Sequence, residues 1–427
     1  MSSEHKISLQ SAILINLNIM AGAGIFVNIV DLTKSLGLMS GLLYFTVGLF
    51  MFPLVFTFAR LVQVYPSGAF YVFARPISPF WGFISTWCYF FGKLASATFL
   101  IHVSATFLQK LSPGIFGLIP LLSLDILILT LFVILNSCNV RIGVLIQRGF
   151  FISKFIPLIA LIVLGAMNFD MNIFEWTETV PVSNFIVMLP LVLYCFSGFE
   201  AACSVSRTIE NASKNAPRAI FYSFFSIILI YFVFQTLISM MLASNAQYFN
   251  NYVEAFDYLS TLVPCAVLIQ KKLVSIISLM IGFSAMGAAY GLLFSNAWNL
   301  FTLAEHNHVF ASTWLTRLSV HRVPLYAVFV EGVICLLFIL LTAGAKIPLQ
   351  QTATLGCTFT YTISTLAYLL QGLGSYWIGF WSLLTCTGFI VSCVYSAIVF
   401  KFTSLYLFAI MFLLGLAMFF CCANCKK

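Results

Sequence analysis

Charge is scarce in this chain. Of its 427 residues only 7% are Asp, Glu, Lys or Arg, 20 basic and 12 acidic. A soluble domain carries roughly 25%, because it must cover a water-facing surface. That shortage excludes a soluble enzyme and a disordered chain. A net charge of +8, thinly spread and without a basic stripe, excludes a nucleic-acid binder. Ordered metal-ligand spacing is missing too: His102 stands alone in its segment, and His306, His308 and His321 share a loop without a third ligand on one helix face. Most of the twelve Cys sit singly in apolar runs (Cys88, Cys195, Cys203, Cys335, Cys357), which reads as free thiols and not as a disulfide scaffold. The tail cluster Cys421, Cys422, Cys425 holds one C-x-x-C spacing, a weak metal or redox signal by itself. No metal or cofactor is expected.

Apolar residues fill the space that charge leaves. They make up 62% of the chain, with 46 Phe. A window of about 20 residues spans a hydrocarbon core of roughly 30 Å. It predicts twelve membrane helices, near 8–30, 38–60, 80–108, 115–136, 150–168, 183–206, 217–243, 269–303, 323–343, 350–370, 374–399 and 403–421. The expected fold is therefore all-α and integral to the membrane, one transport domain over 1–427 without linkers. The polar start has no small-residue cleavage site after the first apolar run, so that run is expected to remain as a span. With the N-terminus cytoplasmic, twelve basic residues fall inside: Lys6, Arg60, Arg75, Arg141, Arg148, Arg207, Lys214, Arg218, Arg317, Arg322, Lys426 and Lys427. Six fall outside (Lys34, Lys110, Lys271, Lys272, Lys346, Lys401), as do Asp31, Asp170, Glu175, Glu178, Glu254 and Asp257. The bias predicts both termini in the cytoplasm of a cell-membrane protein.

Two spans carry breakers. The first holds Gly22-Ala23-Gly24-Ile25-Phe26 near its middle. The sixth holds Tyr194-Cys195-Phe196-Ser197-Gly198-Phe199-Glu200, a Gly beside an ionisable group. Small residues at a helix contact would explain the first alone. Breaks at matching places in two halves point instead to a transporter site, with repeats over 8–168 and 183–370 and extra helices over 374–421. An interrupted helix bares N–H groups at one stump and C=O groups at the other. The first set attracts a carboxylate and the second accepts from an ammonium, which are the two groups every amino acid has.

The motif Gly22-Ala23-Gly24-Ile25-Phe26 resembles the G-S/A-G-I-F motif of the amino acid–polyamine–organocation (APC) transporters. Tyr65-Pro66-Ser67-Gly68-Ala69-Phe70-Tyr71 with Pro79-Phe80-Trp81-Gly82-Phe83 is similar to that family's loop after span 2 and entry to span 3. Phe196-Ser197-Gly198-Phe199-Glu200 resembles its span 6 break, and Glu210-Asn211 with Pro217-Arg218-Ala219-Ile220 its entry to span 7. The resemblance implies a five-plus-five inverted repeat with discontinuous spans 1 and 6, and alternating access around spans 1, 2, 6 and 7.

On that resemblance the Ala23, Gly24 and Ile25 amides take the substrate carboxylate, and the span 6 backbone near Tyr194, Phe196 and Ser197 takes the amino group. Glu200 has two readings: a carboxyl that caps bare N–H groups, or a protonation site linked to gating, as in arginine/agmatine antiporters, which carry a glutamate there. Lys154, four residues into the predicted span 5, either snorkels to the interface or, as in several APC members, stands in for a sodium ion. Lys93, mid-span, replaces a neutral asparagine of those antiporters, which tilts the substrate toward neutral or acidic amino acids unless Lys93 is uncharged or paired with Glu200. Tyr194 and Tyr290 fall where those antiporters use aromatic gates, or are ordinary apolar rings. Asp125 is expected to be solvated at a span end, and Glu331 to hydrogen-bond between helices. The function expected is sodium-independent amino acid exchange, with proton-coupled symport of amino acids or polyamines as the alternative. An intramembrane enzyme would need a nucleophile with its base, or H-E-x-x-H, and a channel a ring of charge; none is present. The partners expected are an amino acid, the lipid bilayer and, as one option, a second copy in a homodimer.

Overall fold

A computed structural model describes residues 6–66, 70–111, 114, 116–138, 140–168, 180–242, 245–262, 267–400 and 403–424. Ser67, Gly68, Ala69, Asp170, Glu175, Glu178, Lys401, Cys425, Lys426 and Lys427 lie outside the described residues, as do the side chains of Arg141, Lys271 and Lys272.

Helices account for nearly everything else, as the apolar runs require in lipid, where each backbone group must be satisfied internally. The first crossing is built from α1 (Leu9–Met20), α2 (Gly24–Val27) and α3 (Ile29–Leu36), followed by α4 (Met39–Val64) and the short α5 (Phe70–Ala74). Next come α6 (Pro79–Leu111), α7 (Leu121–Asn136), α8 (Val140–Met167), α9 (Val182–Phe196) and α10 (Ala201–Ser204). The second half contains α11 (Ala212–Leu242), α12 (Tyr252–Thr261), α13 (Val267–Glu305), α14 (Ser312–Leu315), α15 (Leu325–Thr342), α16 (Lys346–Leu370), α17 (Tyr376–Val399) and α18 (Thr403–Asn424). Among the described residues nine segments are long and apolar enough to cross a membrane; α7 and α9 are shorter apolar helices. The 25-residue α16 is less apolar because it buries a row of hydroxyls, Thr352, Thr354, Thr358, Thr360 and Ser364, against its neighbours.

The segments Leu9–Val27 and Pro79–Lys110 are 78% and 83% buried, against 33% for Ile142–Met167 and 28% for Thr403–Cys422. The first crossing and α6 are thus the heart of the bundle, and α8 and α18 have the outer faces that lipid covers. The principal contacts are α6 with α13 and α16, and α4 with α11.

Three sequence expectations are corrected. The fifth span begins at Val140, not 150, because Arg148 lowers local hydropathy without stopping a helix whose charged head is exposed. Lys154 is consequently deep in α8 and buried, so snorkelling does not describe it. Asp125 is 2% exposed and not solvated: packing of α6 on α7 brings the His102 ring nitrogen to 2.9 Å from its carboxylate, so His102 is not isolated either.

Candidate functional site

Both interrupted crossings stop at mid-bundle and lie side by side. After Met20 the chain leaves helical geometry for three residues and re-enters at Gly24; α2 and α3 then run on through Asn28, itself in right-handed helical conformation. After Phe196, Ser197 is extended and Gly198 takes φ +137°, a conformation L side chains rarely adopt. A Cβ on Gly198 would also lie 2.5 Å from Ile19 Cγ2, so the two breaks touch through a glycine. Gly24 is similarly tight: a Cβ there would come within 3.1 Å of both the Tyr194 ring and Cys195 Sγ.

Broken helices leave polar backbone that must find partners. Three carbonyls of the first stump have them. Lys154 Nζ donates to Asn18 O at 2.6 Å, the Tyr231 hydroxyl reaches Met20 O at 2.5 Å, and Ser284 Oγ donates to Ala21 O at 3.2 Å. Tyr231 also reaches Cys195 O at 3.1 Å, so one α11 side chain ties both stumps. Asn16 clamps the other break: its Nδ2 donates to Phe199 O at 2.7 Å, and its Oδ1 accepts the Ala202 N–H at 2.9 Å at the start of α10. The opening amides of α2, at Gly24 and Ile25 with Ala23 before them, lack an intrahelical acceptor by position.

Charge at the site is internally matched. Lys93 Nζ lies 2.8 Å from Glu200 Oε1 and donates to Ser197 Oγ at 2.6 Å, with the Tyr89 ring face 4.9 Å away. Glu200 Oε2 accepts the Gly198 N–H at 3.0 Å. Both residues are at most 1% exposed. Glu200 therefore both caps bare backbone and pairs with the cation. The cavity between the breaks is lined by Gly22, Gly24, Ser96, Tyr194, Cys195 and Ser197, with Ile19, Met20, Leu100 and Leu292. Its free volume is about 10 Å³, room for one water molecule and too little for an amino acid.

Of the residues singled out from sequence, Gly22, Gly24, Tyr194 and Ser197 line that cavity; Ala23, Ile25, Gly198 and Glu200 belong to the breaks. Tyr194 is held by Ser96 Oγ, which donates to its hydroxyl at 2.9 Å. The Phe196 ring turns away to Tyr44, Phe224 and Tyr231 and leaves only backbone at the break. Tyr290 does not line that cavity. Its ring is buried against Phe132 and Phe150 on the α7–α8 side, because the face of α13 toward the first break carries Ser284, Gly287 and Ala288 instead. Sequence reading missed Tyr231 and Asn16. An Asn in a run of apolar residues was a visible signal; one Tyr among so many rings was not.

Contacts between the interrupted crossings and their neighbours lie toward both ends of the bundle. On the side of the N-terminus, Ile7 pairs with the segment after α10 (Ile7 N–H to Thr208 O 2.8 Å, Glu210 N–H to Ile7 O 3.0 Å), and Arg207 bonds Glu305 at 2.9 Å. On the opposite side Phe26 packs edge-on against Phe234 at 5.4 Å, and Lys346 pairs with Asp31.

The comparisons with known proteins say what kind of protein this helical bundle is. Residues 7–424 match the profile of the family described as amino acid permease. The chain belongs to the amino acid permease family. Within it, the permease is 24% identical over 339 residues to a serine permease of Lactococcus lactis, spanning 74% of this chain and 72% of that one. It is 22% identical over 389 residues to an aromatic amino acid permease of the same organism, covering 85% and 82%. An amino-acid permease of Bacillus subtilis matches at 24% over 271 residues, 60% of this chain and 55% of its own length. The permease is thus a multi-pass membrane protein of the APC superfamily whose activity is amino acid transport.

Proposed function

We propose that this permease exchanges neutral amino acids across the cell membrane without sodium. The observation that carries this reading is the Lys154 ammonium on the Asn18 carbonyl beside the first break. It places a tethered hydrogen-bond donor on a backbone oxygen that would otherwise suit a bound cation. A carrier in which a lysine head occupies that place has no sodium site to fill during its cycle.

The Ala23, Gly24 and Ile25 amides would receive the carboxylate, and the backbone around Tyr194, Phe196 and Ser197 the ammonium, once the cavity expands. Lys93 and Glu200 neutralise each other, so the wall offers no free charge to a charged side chain. Relatives named for serine and for aromatic amino acids agree with neutral substrates. The first ten spans would act as two inverted repeats, with both termini cytoplasmic, so that Ile7–Thr208 and Arg207–Glu305 close the inner end and Phe26 with Lys346–Asp31 the outer.

The test is counterflow in proteoliposomes preloaded with each of the twenty amino acids in turn, in sodium or in choline buffer. Neutral amino acids are expected to exchange equally in both buffers. Dependence on sodium, or exchange confined to charged amino acids, refutes the reading.

A further inference from the structure

A cleft opens at the end of the bundle where Ile7 meets Thr208, between the last turns of α4 and the first turns of α11. Its free volume is about 560 Å³, within the roughly 300–1,000 Å³ of small-molecule sites. It shares no lining residue with the cavity between the breaks. Arg60 reaches it from α4, and Lys214 and Arg218 from α11. No Asp or Glu lines it, and none of the three cations forms an ion pair among the described residues. Three like charges around one hollow repel one another unless an anion lies among them.

The cations are held without being neutralised. Arg60 Nε donates to Leu373 O at 2.8 Å and its Nη1 to Gln63 Oε1 at 2.7 Å. Both acceptors are uncharged, so the guanidinium is positioned with its charge intact. Lys214 and Arg218 stand one turn apart on α11 and are exposed. Glu210, four residues before Lys214, lines a different cleft with Lys6 and Arg148.

Away from the cations the two helices turn aromatic. Phe56, one turn before Arg60, packs on Phe221 at 4.7 Å, and both line the cleft. Phe52, a further turn along, lies 4.9 Å from Phe56 and 5.2 Å from Phe225. From Arg60 to Phe52 is about 12 Å along the helix. Phe56, Tyr222 and Phe225 are exposed, so this row of rings lies on the outside of the bundle, where lipid is. A cation cluster that gives way to an apolar track matches the two ends of a phospholipid. Arg and Lys heads bond phosphate oxygens, and basic pockets between membrane helices take anionic headgroups. Snorkelling explains the depth of the three heads but not their convergence on one hollow without an acid. We propose that the cleft binds one anionic phospholipid, its phosphate among Arg60, Lys214 and Arg218 and an acyl chain along the Phe56 and Phe221 rings. The lipid fastens the end of α4 to the start of α11. This site is separate from the transport reading and does not rest on it.

The experiment titrates delipidated full-length permease in detergent with phosphatidylglycerol or phosphatidylcholine and counts the bound lipid by native mass spectrometry. The wild type is expected to hold one phosphatidylglycerol at least about tenfold more tightly than phosphatidylcholine. A basic residue beside an anionic lipid is worth about fivefold in affinity, so Lys214→Gln/Arg218→Gln should weaken phosphatidylglycerol about thirtyfold and leave phosphatidylcholine unchanged. Arg317→Gln/Arg322→Gln removes the same charge from exposed positions elsewhere. It should bind within about twofold of wild type, because distant charges are screened. Glycerol phosphate at equal concentration should not displace the lipid, since it has no chain for the rings. Equal retention of the two lipids by the wild type, a result that needs no variant to fold, overturns the proposal. Equal losses in the two double variants overturn it as well, because net charge alone would then account for binding. Displacement by glycerol phosphate overturns it in favour of a site for soluble phosphate esters. Transport is not read in this experiment, so a failure of the exchange reading is a separate result.

Discussion

Lys93 and Glu200 meet at 2.8 Å inside the bundle, the ammonium from α6 and the carboxylate from the residue that follows the span 6 break. Neither has water to fall back on, and each is the other's countercharge. Because the carboxylate also accepts the Gly198 N–H, the pair fastens the irregular backbone of span 6 to the core helix α6. Removing one partner leaves a bare charge, a loss of about 3–5 kcal/mol. Lys93→Met and Glu200→Gln should each lower the apparent Tm in detergent, and the double variant Lys93→Met/Glu200→Met should recover most of it. Equal, additive losses in the singles and the double would mean that the pair is not coupled.

Selectivity follows from the same pair. Lys93→Asn leaves the Glu200 carboxylate free to receive a cationic side chain. Arginine and lysine should then inhibit exchange of a neutral amino acid about tenfold more strongly than in the wild type, the equivalent of one recovered charge contact. Inhibition curves for the wild type and Lys93→Asn decide it.

Tyr231 bridges the Met20 and Cys195 carbonyls, and Tyr231→Phe keeps the ring while deleting the bridge. Leaving buried carbonyls unpaired costs about 1–3 kcal/mol. Exchange should slow by roughly tenfold if that energy appears in the step that rearranges the breaks. A rate equal to wild type would show that water satisfies both carbonyls unaided.

Gly198→Ala forces a side chain into φ +137° and to within 2.5 Å of Ile19 Cγ2. Backbone strain of about 1–3 kcal/mol and comparable overpacking are expected together. The variant should elute from size exclusion largely aggregated, and Ile19→Ala in the same chain should relieve the steric part only.

Lys154→Ala leaves the Asn18 carbonyl without its ammonium. Uptake should fall at least about tenfold in choline, the loss of a charge-assisted bond. Partial recovery in high sodium would show the emptied place accepting a cation, and unchanged uptake would free Lys154 of any role at the break.

Helix breaks were legible because their cause is local. Gly22, Gly24 and Gly198 remove side chains where a helix in lipid can least spare its regularity, and Glu200 is too polar to sit mid-span without a purpose. Lys154 was legible as an unusual residue but misplaced by the hydropathy of Arg148, which reports the environment of a charged head and says nothing about where a helix begins. Between the two readings of Tyr290 the sequence could not choose, because position along α13 does not give azimuth: the ring faces Phe132 and Phe150.

Composition and the order of apolar runs by themselves determined that this chain lives in lipid as a bundle of helices, since transfer free energy adds up residue by residue along a chain. Which polar groups answer one another was decided only in three dimensions. Tyr231 on two stumps, Asn16 on the start of α10 and Asp125 against His102 depend on distances between separate helices. No local pattern encodes those separations, because they are set by how the whole bundle packs.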